Sequence, residues 1–544
     1  MRVAEAVGRV LAGLGADRAF GVVGSGNFHL TNALAAAGVA FVAARHEGGA
    51  AVMADAYART SGRLGVLTVH QGPGLTNALT GIAEAAKSRT PMVVLAADTG
   101  AAGTRSNFAL DQAGLAAGVG AAYERASTVD SAVDDAVRAV RRARAERRTV
   151  VLSLPLDVQA GEVAAPGPVS LPPDPVVTPA PASVTALADL LAGAARPVFV
   201  AGRGARAPYA RAALADLAGR CGALLATSAV AKGLFPGDPW YLDVAGGFAS
   251  PAAAELILGA DVLVAWGCAL TMWTTRHGRL IGAGTTVAQV DVEPAALGAN
   301  RRVDLGVLGD AGTTARAVEA ELARRGHTTR GYRDKPLPAG VHWRDVPYED
   351  DSADGRIDPR TLSARLDGLL PAARVVAVDS GNFMGYPSMY LSVPDECGFC
   401  FTQAFQSIGL GLATAIGAAL ARPDRLPVAA LGDGGFLMGV AELDTAVRLG
   451  LPMVVVVYDD AAYGAEVHHF GPDGYPLDTV TFPDTDLAAI GRGFGCAGVT
   501  VRTAADLAAV GAWLAGPRDR PLLVDAKVTA NRGSWWLEEA FRGH

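Results

Sequence analysis

Residues 428–464 read VAALGDGGFLMGVAELDTAVRLGLPMVVVVYDDAAYG, and this stretch predicts the fold class of the chain. An apolar run ends in Gly432-Asp433-Gly434-Gly435, an amphipathic segment follows, and a second apolar run ends in Asp459-Asp460. The pattern indicates a strand, a helix and a second strand that runs parallel to the first. The carboxyl ends of parallel strands lie at one edge of a sheet, so we expect Asp433 and Asp460 to converge there.

These residues suit a metal-bridged diphosphate. Two carboxylates can bind one hard cation such as Mg2+, which prefers oxygen ligands. Gly434 and Gly435 leave the first amides of the following helix bare, and such amides bind phosphate oxygens. An acidic turn between two buried strands is the alternative interpretation.

The composition is typical of a multidomain globular chain. The 544 residues are too many for one hydrophobic core, and 50% of them are hydrophobic although only 6% are aromatic. Charges or helix breakers interrupt every apolar run before it reaches the ~20 residues of a membrane span. A net charge of −7 without a long basic run argues against nucleic-acid binding, and five cysteines without a disulfide pattern predict a reducing cytoplasm.

Two linkers divide the chain into three segments. Seven prolines between Pro166 and Pro181 indicate an extended spacer, and residues 326–358 are charged and irregular. Each segment alternates apolar strands with alanine-rich helices, so we predict an α/β chain of three doubly wound parallel-sheet domains. The predicted domains are residues 1–160, 184–326 and 356–544.

The spacing within residues 428–464 resembles the thiamine diphosphate motif, a Gly-Asp-Gly followed by paired asparagines. Here 25 residues separate Gly434 from Asp460, and Tyr463-Gly464 follows. The resemblance implies a Mg2+ site made by the side chains of Asp433 and Asp460 and the backbone carbonyl of Ala462. It also implies cofactor contacts by Gly432, Asp433, Gly434, Gly435, Asp460 and Tyr463.

The chain departs from this motif where Asp459-Asp460 replace the two asparagines of the family. Asp460 keeps an oxygen ligand but adds a negative charge, and two carboxylates already cancel the charge of a divalent cation. We therefore expect metal binding to survive and the affinity for the anionic diphosphate to fall.

The order of the segments resembles the thiamine diphosphate-dependent decarboxylases and carboligases over nearly the whole chain, and the acetolactate synthase branch is the most similar. RHEGGAAVMADAYARTSGRLGV at 45–66 and QGPGLTNALTGIAEA at 71–85 carry the likeness in the first segment. The likeness implies a pyrimidine-binding, a central and a diphosphate-binding domain. It also implies that Glu47 hydrogen-bonds the cofactor's aminopyrimidine, whereas an isolated glutamate there would only complement a helix dipole.

Further cofactor contacts are implied by position in the family pattern. Ile408 corresponds to the bulky side chain under the bent cofactor, and an ordinary core isoleucine is the alternative. Asp379-Ser380-Gly381-Asn382 follows an apolar strand and resembles the second diphosphate loop, with Ser380 and Asn382 as donors. The remaining predicted contacts are Gly72, Asn77, Gly381 and Gln406.

Ser25 and His70 follow two apolar strands of the first segment. They resemble the serine and histidine that transfer protons in benzoylformate decarboxylases, and the unperturbed pKa of histidine suits this work. Acetolactate synthases have no histidine here, and Ala109 replaces the glutamine of their Phe-Gln pair after Phe108. We predict catalytic roles for Ser25 and His70 beside Glu47.

The sequence thus predicts a thiamine diphosphate- and Mg2+-dependent lyase or transferase that decarboxylates a 2-oxo acid and protonates the product or joins it to a carbonyl acceptor. The acid, the acceptor and the choice between these outcomes stay open. One alternative is an FAD-containing oxidase, but Gly202-Arg203-Gly204 falls short of a dinucleotide fingerprint, so FAD is possible and not indicated. Another is a non-catalytic homologue. The resemblance implies a homodimer or homotetramer, because the catalytic glutamate and the metal site of this family come from different subunits.

Overall fold

The computed structural model describes residues 1–103, 105–534 and 536–537. It contains three parallel sheets of six strands each, flanked by helices, which confirms the predicted α/β class with three doubly wound domains. The exact domain limits stay a prediction. Among the described residues, no helix is both long enough and apolar enough to cross a bilayer.

The first sheet and its helices lie within residues 3–160. The elements are α1 (Val3–Gly13), β1 (Arg18–Gly21), α2 (Phe28–Ala36), β2 (Ala40–Ala43), α3 (Glu47–Ser61), β3 (Gly65–Val69), α4 (Pro73–Lys87), β4 (Met92–Asp98), α5 (Gln112–Gly118), β5 (Ala122–Arg125), α6 (Ala132–Ala145), β6 (Thr149–Pro155) and α7 (Leu156–Ala160). The strand order is β2-β1-β3-β4-β6-β5. β3, β4 and β6 are buried along their whole length because helices cover both faces, so their sequences are continuous apolar runs.

The central sheet has the strand order β12-β11-β10-β7-β8-β9. The elements are α8 (Pro181–Ala192), β7 (Pro197–Ala201), α9 (Pro208–Cys221), β8 (Leu224–Thr227), β9 (Tyr241–Val244), α10 (Pro251–Leu258), β10 (Val262–Trp266), α11 (Met272–Thr275), β11 (Thr286–Asp291), β12 (Leu305–Leu308) and α12 (Ala311–Arg324).

The third sheet has the strand order β14-β13-β15-β16-β18-β17. The elements are α13 (Pro359–Leu369), β13 (Arg374–Val378), α14 (Gly385–Tyr390), β14 (Phe399–Phe401), α15 (Gly411–Ala421), β15 (Leu426–Gly432), α16 (Asp433–Gly439), α17 (Glu442–Arg448), β16 (Val454–Asp459), α18 (Gly464–Phe470), α19 (Leu487–Phe494), β17 (Ala497–Val501), α20 (Ala508–Ala515) and β18 (Leu522–Lys527). The strand–helix–strand unit expected from residues 428–464 is present as β15, α16 with α17, and β16.

The first and third sheets share one hydrophobic core. α3 packs against α15, and buried residues from both helices belong to the same apolar cluster. The approach is close because α15 carries Gly417, where an added Cβ would lie 2.3 Å from the backbone oxygen of Met53. This packing connects the two domains that carry most of the predicted site residues.

Candidate functional site

The carboxyl ends of β13 and β15 form the point at which the strand order of the third sheet reverses, and doubly wound sheets bind ligands at such points. Ser380, Gly381 and Asn382 follow β13, and α16 begins at Asp433 directly after β15. β16 lies beside β15 and ends at Asp459. Three loops that carry predicted cofactor residues therefore leave one edge of the sheet.

Asp433 and Asp460 carry raised pKa values at this edge. Burial, followed by the charges of Asp460 and then Asp459, raises the pKa of Asp433 to about 8. Burial also raises the pKa of Asp460 to about 6, with a smaller contribution from Asp459. The carboxylates of Asp433 and Asp460 thus repel each other in a poorly solvated place.

A divalent cation fits this donor set. It would relieve the repulsion between Asp433 and Asp460, and both supply the carboxylate oxygens that Mg2+ prefers. The amide of Ala462 donates to the Asp460 carboxylate, which brings the Ala462 peptide to the same place. These three residues would hold Mg2+.

Asn382 connects the β13 loop with Asp460. Its side chain hydrogen-bonds the Asp460 carboxylate, and its own side-chain oxygen accepts from the Ser534 hydroxyl at 3.2 Å. Ser534 also donates to the backbone oxygen of Asn382 at 2.9 Å. A residue predicted to contact diphosphate is therefore also oriented toward a predicted metal ligand.

Ile408 lies in a loop that the buried carboxylate of Asp379 fixes. Asp379 accepts from the amides of Ser380, Gly409 and Leu410 at 2.8, 2.9 and 3.2 Å, and burial raises its pKa to about 6. The Ile408 loop and the Ser380 loop are thus fastened to one carboxylate. Sequence reasoning missed this role, although Asp379 directly follows an apolar strand.

Gly434 and Gly435 are required by close contacts at the start of α16. A Cβ on Gly434 would lie 2.6 Å from the ring of Tyr463, and one on Gly435 would lie 2.5 Å from Asp379 Oδ2. The absence of side chains here lets the helix start pack against both neighbouring loops.

Glu47 is the first residue of α3 and is half-buried. Its Oε2 accepts from the side-chain amide of Asn77 on α4 at 3.1 Å. Gly72, the residue before α4, adopts φ +68°. Among the described residues, no hydrogen bond or ion pair joins Glu47 to Asp433 or Asp460 of the same chain.

Glu442 fixes the turn that precedes Glu47. Its buried carboxylate accepts from the backbone amides of Arg45 and His46 at 3.1 and 3.0 Å. Gly49 makes room for it, because a Cβ there would lie 2.4 Å from Glu442 Oε1. Sequence reasoning missed Glu442, since it lies 397 residues from Arg45 along the chain.

Ser25 and His70 lie at the reversal point of the first sheet, after β1 and β3. The amide of Gly26 donates to His70 Nδ1 at 2.9 Å, which assigns the ring proton of neutral His70 to Nε2. The His70 ring packs edge-on against Phe108 with centroids 5.1 Å apart. Ser25 is exposed, and the buried side-chain oxygen of Gln71, next to His70 in the chain, has no hydrogen-bond partner among the described residues.

Gln406 lines a cavity that the other predicted contacts do not line. It is exposed and adopts φ +63°, and the cavity has a volume of about 1740 Å³ and lies between the first, central and third sheets. Gly202, Arg203 and Gly204 line the same cavity. The two glycines are explained by packing, because a Cβ on Gly202 would lie 2.4 Å from the backbone oxygen of Gly267.

Three family models match the chain in the order of its sheets. The thiamine pyrophosphate enzyme N-terminal binding domain matches residues 1–116, the central domain matches 184–318, and the C-terminal binding domain matches 379–526. The sulfoacetaldehyde acetyltransferase of Alcaligenes xylosoxydans xylosoxydans is 31% identical over 86% of this chain and 82% of its own length. A probable 2-ketoarginine decarboxylase of Pseudomonas aeruginosa is 31% identical over 91% and 88%.

Two other relatives extend the comparison. A probable acetolactate synthase large subunit of Methanocaldococcus jannaschii is 28% identical over 85% of this chain and 81% of its own length. The solved structure of the Rhodococcus jostii RHA1 thiamine diphosphate-dependent 4-hydroxybenzoylformate decarboxylase superposes with a TM-score of 0.83 at 21% identity, over 97% of this chain and 99% of its own. That likeness supports the fold.

Proposed function

The chain belongs to the family of thiamine pyrophosphate-dependent enzymes, and we propose that it decarboxylates a 2-oxo acid and passes the product to a proton or to a carbonyl acceptor. The observation that carries the proposal is the pair of buried, mutually repelling carboxylates of Asp433 and Asp460 beside the glycine-bearing start of α16. When bound, thiamine diphosphate would supply a nucleophilic carbon and an electron sink for the decarboxylation of the 2-oxo acid.

The residues of the third sheet would hold the diphosphate end. Asp433, Asp460 and the Ala462 carbonyl would bind Mg2+, and the first amides of α16 would donate to phosphate oxygens. Further contacts would come from the loops at the same sheet edge and from Ile408 beneath the bend of the cofactor. The predicted set there is Ser380, Gly381, Asn382, Gly432, Gly434, Gly435 and Tyr463.

Glu47 would hydrogen-bond the aminopyrimidine ring and hold a proton there. Asn77 supports this role, because its amide donates to one carboxylate oxygen and leaves the other free to face the cofactor. Glu442 supports it from behind, since it fixes the backbone of the preceding turn.

His70 and Ser25 would move protons on the substrate side. Because Gly26 donates to Nδ1, Nε2 of His70 carries the ring proton and can donate a hydrogen bond to a substrate oxygen. Ser25 follows the neighbouring strand and has an exposed hydroxyl. The 2-ketoarginine decarboxylase and acetyltransferase names of the relatives agree with a 2-oxo acid or acyl-transfer reaction, and the substrate of this chain stays open.

A homodimer or a homotetramer would complete the site. Side chains near Ser25 and His70 in the first domain, and next to Asp433 on α16, expose apolar surface that a second copy would cover. They are Val23 (40% exposed), Phe28 (53%), Phe108 (40%), Leu437 (44%) and Met438 (57%). In such an assembly Glu47 of one subunit would face Asp433 of the other; a monomer by light scattering would contradict this. All five cysteines are unpaired, which fits the reducing cytoplasm where we place the protein.

The test is a decarboxylation screen of 2-oxo acids with thiamine diphosphate and Mg2+, comparing wild type with Glu47→Gln. We expect wild-type turnover and a loss of about 10³-fold in kcat in the variant. Glu349→Gln, the same substitution at an exposed site in the second linker, is the matched control and should keep full activity. Equal, measurable rates in wild type and Glu47→Gln would contradict the mechanism, and an absence of turnover in wild type would favour the non-catalytic alternative. None of the observations favours an FAD-dependent oxidase, and flavin absorbance of the purified protein decides that alternative.

A further inference from the structure

Lys527 is a buried lysine that neutralises Asp459, one residue before the predicted metal ligand Asp460. Asp459 and Lys527 are register partners on the adjacent parallel strands β16 and β18, and they are 2% and 1% exposed. Lys527 Nζ lies 2.5 Å from Asp459 Oδ2. The same ammonium lies 2.6 Å from Asp484 Oδ1 and 3.2 Å from Asp525 Oδ1.

The second oxygen of Asp459 shapes the loop that follows β16. Asp459 Oδ1 accepts from the amide of Ala461 at 2.9 Å, and Ala461 adopts φ +56°, a conformation that costs free energy for a residue with a side chain. Arg356 donates to the backbone oxygen of Asp459 at 3.1 Å. The loop through Asp460 and Ala462 therefore starts from a carboxylate whose two oxygens are both engaged.

We propose that Lys527 is a positioning residue for the metal loop and acts through Asp459. It orients the Asp459 carboxylate so that Oδ1 holds the Ala461 amide, and the strained turn then presents the Asp460 side chain and the Ala462 peptide to the cation. This inference rests on the proposed function, in which Asp460 and Ala462 are Mg2+ ligands. It also separates the two aspartates of the Asp459-Asp460 pair, because only the second is left to face the metal.

The charge of Lys527 matters as well as its geometry. Without it, Asp459 would be a third buried carboxylate next to Asp433 and Asp460, and removing one partner of a buried ion pair leaves an uncompensated charge. A third negative charge at this edge would repel the diphosphate that has to bind there. Lys527 thus offsets one of the two charges by which the chain departs from the family's paired asparagines.

The experiment compares wild type, Lys527→Met, Asp459→Asn and the double variant Asp459→Asn/Lys527→Met. The readouts are the dissociation constant of thiamine diphosphate at saturating Mg2+, from the intrinsic tryptophan fluorescence of the protein, and the melting temperature of the cofactor-free protein. We expect Lys527→Met to raise the dissociation constant about tenfold or more because it leaves a buried carboxylate unpaired. Asp459→Asn should raise it about threefold, since an amide group would face the ammonium. The double variant should bind more tightly than Lys527→Met, because the unpaired charge of Asp459 is gone while Asp525 alone keeps a buried, unpaired carboxylate.

Two controls distinguish positioning from a general loss of stability. Asp484→Asn removes another carboxylate from the same ammonium, at a residue that is 45% exposed and outside the metal loop, so cofactor affinity should not change. Arg374→Met removes a buried cation that pairs with Asp367 at the opposite, amino-terminal end of the same sheet. It should lower the melting temperature and leave cofactor affinity unchanged.

The outcomes separate the two proposals. If wild type itself binds no thiamine diphosphate with Mg2+, the proposed function fails. If wild type binds it and Lys527→Met binds it equally well, or if the double variant is as weak as the two single losses combined, the positioning role of Lys527 is overturned. Should Lys527→Met not fold, Asp459→Asn against Asp484→Asn decides the matter, and equal affinities in that pair overturn the proposal.

Discussion

Replacing Asp460 by asparagine should tighten the binding of thiamine diphosphate. The substitution keeps a side-chain oxygen for Mg2+ and removes one negative charge from a site that has to accept an anionic diphosphate. It also removes the neighbour whose charge, after burial, contributes most to the raised pKa of Asp433.

The size of the effect follows from the protonation of Asp433. With a pKa of about 8, only about one Asp433 in ten is ionised at pH 7, and the proton has to leave before a cation binds, which lowers the affinity for the cation about tenfold. Asp460→Asn lowers that pKa and can recover up to this factor. The weaker amide ligand opposes the gain, so we expect the dissociation constant of thiamine diphosphate at saturating Mg2+ to fall between about threefold and tenfold.

The assay is a calorimetric titration of thiamine diphosphate at saturating Mg2+ at two pH values, near 7 and near 9. A raised pKa means that Asp433 becomes ionised as the pH rises, so wild-type affinity should increase between these values. The affinity of Asp460→Asn should change less, because the lower pKa of its Asp433 leaves a larger fraction of that carboxyl ionised at the lower pH. Asp459→Asn is the matched control: it is the same substitution one residue earlier, where Lys527 neutralises the charge, and it should not tighten binding.

Weaker binding by Asp460→Asn at both pH values would refute the charge argument and show that carboxylate ligation outweighs repulsion. An equal gain in Asp459→Asn would refute the distinction between the two aspartates.

Three further outcomes are expected. Glu442→Gln should lower kcat about tenfold with little change in cofactor affinity, because a neutral amide oxygen is a weaker hydrogen-bond acceptor than a carboxylate for the turn before Glu47. Asp444→Asn on the same helix is the control. Steady-state kinetics measure kcat, and a cofactor titration measures the affinity. His70→Ala should lower kcat about 100-fold with little change in cofactor affinity, and an unchanged kcat would exclude a catalytic role for His70. The folded-state pKa of Asp433 lies above its ordinary value of 3.8, so ionisation of Asp433 opposes folding. The melting temperature of the metal-free protein should therefore fall as the pH rises from about 5 to about 8, and Mg2+ or Asp433→Asn should reduce that fall. An equal dependence of the melting temperature on pH in Asp433→Asn would contradict the assignment.

The fold class could be predicted from sequence because its signal is local. Residues 428–464 contain two uninterrupted apolar runs around an amphipathic segment, and only parallel strands buried on both faces need such runs. The placement of Asp433 and Asp460 at one edge follows from the same pattern, since parallel pairing puts successive strand ends together. The likeness to thiamine diphosphate enzymes then supplied Glu47, which composition alone leaves as an ordinary residue at a helix start.

The contacts that fix these residues could not be read in the same way. Glu442 hydrogen-bonds the turn before Glu47, although the two segments are 397 residues apart in the chain. No sequence periodicity links them. The Ile408 loop lies against Asp379 because the buried carboxylate of Asp379 accepts hydrogen bonds from two backbone amides of that loop. Gln406 was predicted to contact the cofactor from its position in the family pattern. The structure shows that it lines the cavity between the three sheets, which depends on domain packing that the pattern does not encode.

The pairing of Lys527 with a carboxylate is a contact that the sequence itself indicates. LLVDAKV at 522–528 is an apolar strand with a lysine near its end, and a lysine there either reaches solvent or pairs with a carboxylate on a neighbouring strand. β16 ends in Asp459, so the pair requires only that β16 and β18 are adjacent and in register, as they are. The carboxylate that Asp459 adds to the motif is therefore paired with a cation within the sheet, whereas that of Asp460 is not. The departure from paired asparagines is best understood as two separate substitutions, of which one stabilises the loop and the other sets the affinity for the cofactor.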